Sequence, residues 1–418
     1  MITAFGTALS ALQGDEAAVS VIGNNLANMN TTGYKETEVE FSNLMSQVMG
    51  FSGNSEQLGL GIGPILTQTQ YAQGNIQTTN GATDAAINGS GFFVVTNQSG
   101  QTLYTRAGDF QVAANGNLET PTGEVVQGWT ASNGKVDTSS AIGNITLPLG
   151  GTVPASATTT MSINANLDAT PASATTPSTF SAPIQVYDSL GTSHTLTATF
   201  TETTANTWSY SVTVPSADLK SGGTTPVATG TLNFNSSGTL SSPTATGTQP
   251  SIKISGLADG AADMNITWNL FDSSGNSTIT QLAQASGVSA TNQNGYAAGQ
   301  VSSVGIQNGG TIVANYTNGQ QSVVGQLALA SITNPQSLIS VGNNELEASA
   351  ITSQAALGTA GSAGRGQIVG GALESSTVDM ATQLTDLLQM QSSYQAASKV
   401  ITTSDQMLQA TTNLVPNQ

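Results

Sequence analysis

The sequence predicts a mainly β protein: a discontinuous β-rich domain carrying a second, inserted β-barrel- or sandwich-like domain, plus paired N- and C-terminal α-helices of coiled-coil type. Three observations carry this. Only 7% of the 418 residues are charged and 46 are Gly, a mixture that favours turn-rich β structure, because Gly and Asn supply the positive φ that tight turns need. Helical apolar patterns are confined to the two chain ends. Between them, short apolar runs and alternating stretches are separated by turn signals.

At the N-terminus Ile2, Phe5, Leu9 and Leu12 follow 3-4-3 spacing, and Val19, Ile22 and Leu26 resume it after Gly14, Asp15 and Glu16. Gly33, after Asn28 and Asn30, reads as the stop, which sets a terminal segment of 1–35. At the C-terminus Leu373, Met380, Leu387, Tyr394, Ile401, Leu408 and Val415 recur at every seventh position, predicting a helix over 370–418. Gln391, Ser398 and Asp405 fall on its alternate stripe, so a lone two-stranded coil is weak and the helix needs neighbours on more than one side. Two helices of one globular bundle would account for these stripes. Paired terminal helices enclosing a β body describe a filament subunit better, and the stripe residues are then candidates for subunit packing.

A connecting segment spans 36–80. The run 91–95 (GFFVV), then Tyr104, Phe110, Val112 and Leu118 around the Asn115-Gly116 turn, read as strands of a domain over 81–150 and 296–369. Ile184 and Val186 lead into Asp188-Ser189-Leu190-Gly191, and His194, Leu196, Ala198 and Phe200 alternate beyond it, a hairpin continued by Trp208, Tyr210, Val212 and Val214. Ser/Thr/Ala/Pro-rich stretches at 150–160 and 168–178, and a polar stretch at 285–294, mark the edges of an inserted domain over 151–295.

The net charge of -17 leaves seven scattered cations, Lys35, Arg106, Lys135, Lys220, Lys253, Arg365 and Lys399, and no basic patch for nucleic acid or an anionic membrane. No apolar run reaches membrane-spanning length, so no membrane insertion is expected. Residues 1–12 place no Lys or Arg before the apolar pattern, unlike a cleaved secretory signal. Without Cys, and with His194 as the one histidine, no zinc constellation or nucleophile–base pair can be nominated. His194 is expected to be a half-buried structural residue. The DSSGN string at 272–276 lacks the Glu a calcium loop needs, since Ala283 stands at its twelfth position. No enzyme activity, cofactor or metal is therefore expected.

Several strings carry a resemblance. GNNLANMNTTGYK at 23–35 and the run 373–408 resemble the terminal signatures of the flagellar basal-body rod and hook family. AINGSGFFVV at 86–95, YTRAGDF at 104–110 and NGNL at 115–118 are similar to its hook and distal rod branches. VYDSLGTSHTLTATF at 186–200, GYAAG at 295–299, YTNGQ at 316–320 and LALASITNPQSL at 327–338 are similar to the hook branch. Ala113, Ile332 and Ser337 depart from the family pattern as packing or turn variations. The resemblance implies a structural subunit, exported through the flagellar type III apparatus without a cleaved signal, that polymerises with itself into a flexible extracellular tube transmitting torque. Implied partners are the distal rod protein, the hook–filament junction proteins and the hook cap. It further implies an inner position for the helices, an outer position for 151–295, and a joint at Asn25, Asn28, Thr31, Gly33 and Tyr34. Asn25, Asn28 and Thr31 can hydrogen-bond a helix end, Gly33 can supply the reversal, and Tyr34 can anchor it. The alternatives are a distal rod subunit or, in another class, a secreted β-rich adhesin or carbohydrate-binding protein.

Overall fold

The computed structural model describes all residues except Met1, 45–46, 50–55, 59–60, 133, 171–177, 221–225 and 414–418; among side chains it also omits 2–4, 47–49, 56–58 and 413. It is mainly β, with one long helix near each end: α1, Ile2–Ala27, and α2, Met380–Asn413. The chain divides into two compact units. Unit 1 comprises Met1–Leu149, Ser303–Ala314 and Gln321–Gln418; unit 2 comprises Gly150–Ser302 and Asn315–Gln320.

Unit 1 is built on a sheet in which Gln321–Leu327, Val125–Ser132, Phe92–Thr96, Thr102–Thr105, Glu345–Ala348 and Leu338–Gly342 lie side by side in that order. Phe92–Thr96 explains why the GFFVV run does not alternate. Phe93 and Val95 enter one core with Ile87, Phe110, Leu118, Leu327 and Ile368, while Phe92 and Val94 enter another with Tyr104, Ala330 and Leu338. A strand covered on both faces needs apolar residues at every position. Each such side chain stabilises the fold by roughly 1.5–3 kcal/mol relative to exposure.

Both predicted helices are shorter than their sequence segments. α1 stops at Ala27, because 28–33 form turns. α2 starts at Met380, where the Thr382 N–H donates to the N-cap Asp379 Oδ1 at 2.8 Å. The residues before it are strands: Gln367–Gly370 pairs with Ala85–Asn88, and Ala372–Glu374 with Ile76–Thr78. Leu373, the first member of the heptad stripe, thus belongs to a sheet, and Val415, the last, lies outside the described residues. The connecting segment is not featureless either, since Thr37–Glu40 pairs with Leu66–Thr69.

Unit 2 contains two five-stranded sheets around one core. The first is an antiparallel meander of Thr179–Tyr187, Ser193–Thr204, Thr207–Thr213, Ala228–Phe234 and Leu240–Ser242. Its burial alternates residue by residue, as a half-covered sheet requires. In the second, Thr160–Asp168 runs parallel to Met264–Trp268 and Ile279–Leu282 and antiparallel to Gly287–Gln293. The polar 285–294 stretch is therefore largely an exposed edge strand rather than a connection; its polar side chains suit an edge that water covers. Trp268 fills the centre, edge-on to Tyr210 at 5.1 Å and to Phe200 at 5.9 Å between ring centroids. Thr152–Val153 pairs with Gly299 and Gln300, so the two chain ends of the unit lie side by side.

His194 departs from expectation. It is only 4% exposed, and its ring nitrogens face Asp188 and Asp218. The Asp272 side chain of the DSSGN string accepts the Ser274 and Asn276 N–H groups and closes a tight turn.

Candidate functional site: the helix pair and its joint

α1 and α2 pack along each other. Asn25, near the end of α1, bonds Gln383, near the start of α2, while Glu16 and Val19 border Gln391 and Tyr394; the helices therefore run antiparallel. Their seam mixes small and polar residues with larger apolar ones. On α1 it buries Ala8, Asp15, Ala18, Ile22 and Asn25, at heptad-like spacing; on α2 it buries or half-buries Gln383, Leu387, Met390, Ala397, Ile401 and Ser404. Alanine and serine at these positions let the backbones approach closely. The second stripe of α2 is thus Gln383, Met390, Ala397 and Ser404, one position before the Gln391, Ser398 and Asp405 register read from the sequence.

The predicted packing residues divide. Ile22 is buried, and Leu12, Val19, Leu26, Leu387 and Ile401 are half-buried. Phe5 (39%), Leu9 (44%), Met380 (48%), Tyr394 (46%) and Leu408 (38%) are exposed, as are Leu384, Leu388, Val400 and Met407. Ile2 lies in α1, with its side chain outside the described residues. Leu384 and Leu388 lie away from the seam, whereas Met380, Tyr394 and Leu408 continue the stripe of Leu387 and Ile401 as exposed positions.

Beneath the helices, Asn25 organises the joint. Its Nδ2 donates to Thr37 O (2.8 Å) and Gln383 Oε1 (3.1 Å), and its Oδ1 accepts from the Thr37 N–H (3.1 Å) and the Tyr34 hydroxyl (3.2 Å). All four hydrogen-bonding positions of one buried amide are used, which ties α1, α2 and the first strand together. Asn28 does the capping, donating from Nδ2 to Asn24 O at 2.9 Å, and the Thr31 hydroxyl braces it by donating to Asn28 Oδ1 at 3.1 Å. Gly33 has φ +67°, and a Cβ there would lie 2.6 Å from the Arg106 carbonyl carbon, so both backbone conformation and space demand glycine. From Gly33 onward the segments leading from α1 and into α2 run side by side. The Gly33 N–H donates to Glu374 O (2.7 Å), the Thr377 N–H to Tyr34 O (3.2 Å) and the Glu36 N–H to Thr377 Oγ1 (2.9 Å).

A buried charge triad locks this crossing. Glu374 Oε1 accepts from Lys35 Nζ at 2.6 Å and from the Gly74 N–H at 2.8 Å, and its Oε2 accepts from Arg106 Nη1 at 3.2 Å. Lys35 also donates to Ala72 O (2.5 Å) and Arg106 to Gly89 O (2.9 Å), with the guanidinium 5.3 Å from the centre of the Phe92 ring. Burial pulls both cations below their ordinary pKa, and Glu374 opposes that shift. Sequence reasoning quoted Lys35 and Arg106 within motifs but gave them no role, and it passed over Glu374. The available signal was scarcity: three of only seven cations sit inside motif strings, Lys35 and Arg106 among them. Gln383, which also donates to Glu36 Oε1 at 2.6 Å, was missed because it lies off the apolar stripe.

Family models match along the chain: "Flagella basal body rod protein" over 5–35, "Flagellar hook protein FlgE/F/G D1 domain" over 86–166, "Flagellar basal body protein FlaE D2 domain" over 154–296, and "Flagellar basal body rod FlgEFG protein C-terminal" over 369–414. Curated relatives extend the likeness to full length. The flagellar hook protein of Treponema pallidum is 34% identical, covering 99% of this chain and 100% of its own. That of Salmonella typhimurium is 34% identical (98% and 99%), and that of Escherichia coli K12 is 32% identical (98% and 100%). These matches favour the hook reading over the distal rod and adhesin alternatives. With its mainly β body, its paired terminal helices and this end-to-end similarity, the chain belongs to the flagellar hook protein family and is a structural subunit of the hook.

Proposed function

We propose that copies of this subunit polymerise through the outward faces of α1 and α2, and that the joint around Asn25 and Glu374 fixes the helix pair to unit 1 so that torque passes from helices to body. The observation that carries this is the division of faces. The seam residues are buried or half-buried within the chain, while Phe5, Leu9, Leu384, Leu388, Val400 and Met407 stay exposed along two long helices. An apolar surface of this extent is a binding surface. A second copy, bringing the same stripes, is the partner that membership of a hook family supports.

Unit 2 is self-contained, and its ends pair with each other through Thr152–Val153 and Gly299–Gln300. Its exposed strands are rich in Ser, Thr, Asn and Gln, and such surfaces offer many hydrogen-bonded registers of near-equal energy. In our reading they supply contacts that slide as the hook bends. The distal rod protein, junction proteins and cap would meet the subunit at the ends of the polymer, after export through the type III apparatus without cleavage. The test is substitution on the outward face: Leu388→Asp should leave a folded, soluble monomer that forms no hooks. Normal hooks from this variant would overturn the assignment of the packing face.

A further inference from the structure

His194 in unit 2 lies among carboxylates whose oxygens converge closely enough to hold a cation. Nδ1 lies 3.0 Å from Asp218 Oδ2, and Nε2 lies 3.2 Å from Asp188 Oδ2. Asp188 is fully buried, and its Oδ1 already accepts the N–H groups of Leu190 (2.8 Å) and Thr192 (2.9 Å), which leaves Oδ2 for the imidazole. A third carboxylate, Asp259, brings an oxygen within 4.8 Å of the other two ligand atoms. Carboxylates only accept, and a neutral imidazole carries one N–H. When that N–H is donated to Asp218, the Nε2 lone pair points at a carboxylate oxygen. The Nε2–Asp188 contact is completed either by a second ring proton, which makes the imidazolium a donor to both carboxylates, or by a metal ion bound at Nε2.

We propose that Asp188, His194 and Asp259 form a divalent transition-metal site of the zinc class, with Asp218 as the positioning residue that holds the His194 tautomer. Two donors each about 2.1 Å from a zinc ion and 3.2 Å apart subtend roughly 100°, close to the tetrahedral angle. A carboxylate accepting the other ring N–H is the usual support of a metal-bound imidazole. One imidazole with two carboxylates suits zinc better than calcium, which prefers an all-oxygen shell. Asp259 is exposed, so the site opens to solvent. The Ala258 N–H donates to Asp218 O (2.9 Å) and the Ala262 N–H to Ser189 Oγ (3.0 Å), which holds the 188–192 turn, the 215–219 segment and the 256–263 loop together. A bound ion would fasten these three loops of the sandwich.

The test titrates chelator-treated full-length protein with zinc chloride by calorimetry and with cobalt chloride by visible absorption, alongside the melting temperature of unit 2. The expected result is one ion per chain, proton release on binding, a cobalt spectrum of low coordination number, and a zinc-dependent rise in melting temperature. Asp259→Asn, at an exposed position, should fold normally and bind at least about 10-fold more weakly; Asp218→Asn should weaken binding by about 10- to 100-fold. His194→Gln should not bind, and if it fails to fold, Asp259→Asn decides alone. Absence of stoichiometric binding would mean that a proton on Nε2 is the only cation, and affinity unchanged in Asp259→Asn would place the ion elsewhere. Either result overturns the proposal.

Discussion

Replacing Glu374 with alanine isolates what the joint contributes. The substitution removes the one carboxylate shared by Lys35 and Arg106, which are 6% exposed each, and strands the Gly74 N–H. Losing one partner of a buried pair costs about 3–5 kcal/mol, because the remaining charge stays desolvated. Two cations are left here, but they do not respond alike. Lys35 can shed its proton, as burial already lowers its pKa, whereas Arg106 stays charged and keeps only Gly89 O and the Phe92 ring. We therefore expect about 4 kcal/mol. At a urea dependence of about 2–3 kcal/mol/M, the unit 1 midpoint should fall by roughly 1.3–2 M. Hydrogen exchange read on peptides from Phe92–Thr96 and Thr102–Thr105 reports unit 1, and peptides from Thr179–Tyr187 report unit 2, whose midpoint should not move. The triple variant Lys35→Met, Arg106→Met, Glu374→Leu, which replaces the charges by apolar volume, should recover most of the loss. A unit 1 midpoint shifted by less than about 0.3 M in Glu374→Ala would refute the idea that this triad holds the crossing.

Gly33→Ala combines a left-handed backbone with a clash at 2.6 Å and should destabilise unit 1 by more than about 2 kcal/mol, measured by thermal unfolding, and abolish motility. Ile401→Asp places a charge in the seam and should loosen both helices in the monomer, whereas Leu388→Asp should leave the monomer melt unchanged and block polymerisation; circular dichroism and sedimentation separate the two. Burial and the neighbouring Glu124 push the Glu345 carboxyl up to about 7. A carboxyl whose folded pKa is raised stabilises the fold fully below its unfolded value and loses that contribution as pH rises through about 7. Unit 1 should accordingly melt at lower temperature at pH 8 than at pH 5, and Glu345→Gln should flatten that slope.

What could be read in advance follows a physical division. Patterns with a period belong to single elements, so the hairpin at 184–200 and the bulk of both helices were legible from spacing, and the strand at 92–96 from its short apolar run. Where a neighbour decides, spacing misled. Leu373 fits a heptad but pairs in a sheet with Gln77, and the polar 285–294 stretch becomes strand because Thr160–Asp168 offers it an edge.

The sequence by itself determined the class of the protein: a cation-poor, cysteine-free, turn-rich β body between amphipathic ends, with motifs strong enough to place the family. Only the tertiary structure decided which face of each helix is spent inside the chain. Periodicity reports that a face is apolar and says nothing of what covers it, and the inner seam combines Ile22, Leu387, Met390 and Ile401 with alanine, serine and amide positions that an apolar stripe ignores. The same holds for Glu374 with Lys35 and Arg106, and for His194 with Asp188, Asp218 and Asp259. A buried charge is tolerated only beside its counter-charge, and here the partners are brought together by folding from distant positions in the chain, a proximity that no local pattern encodes.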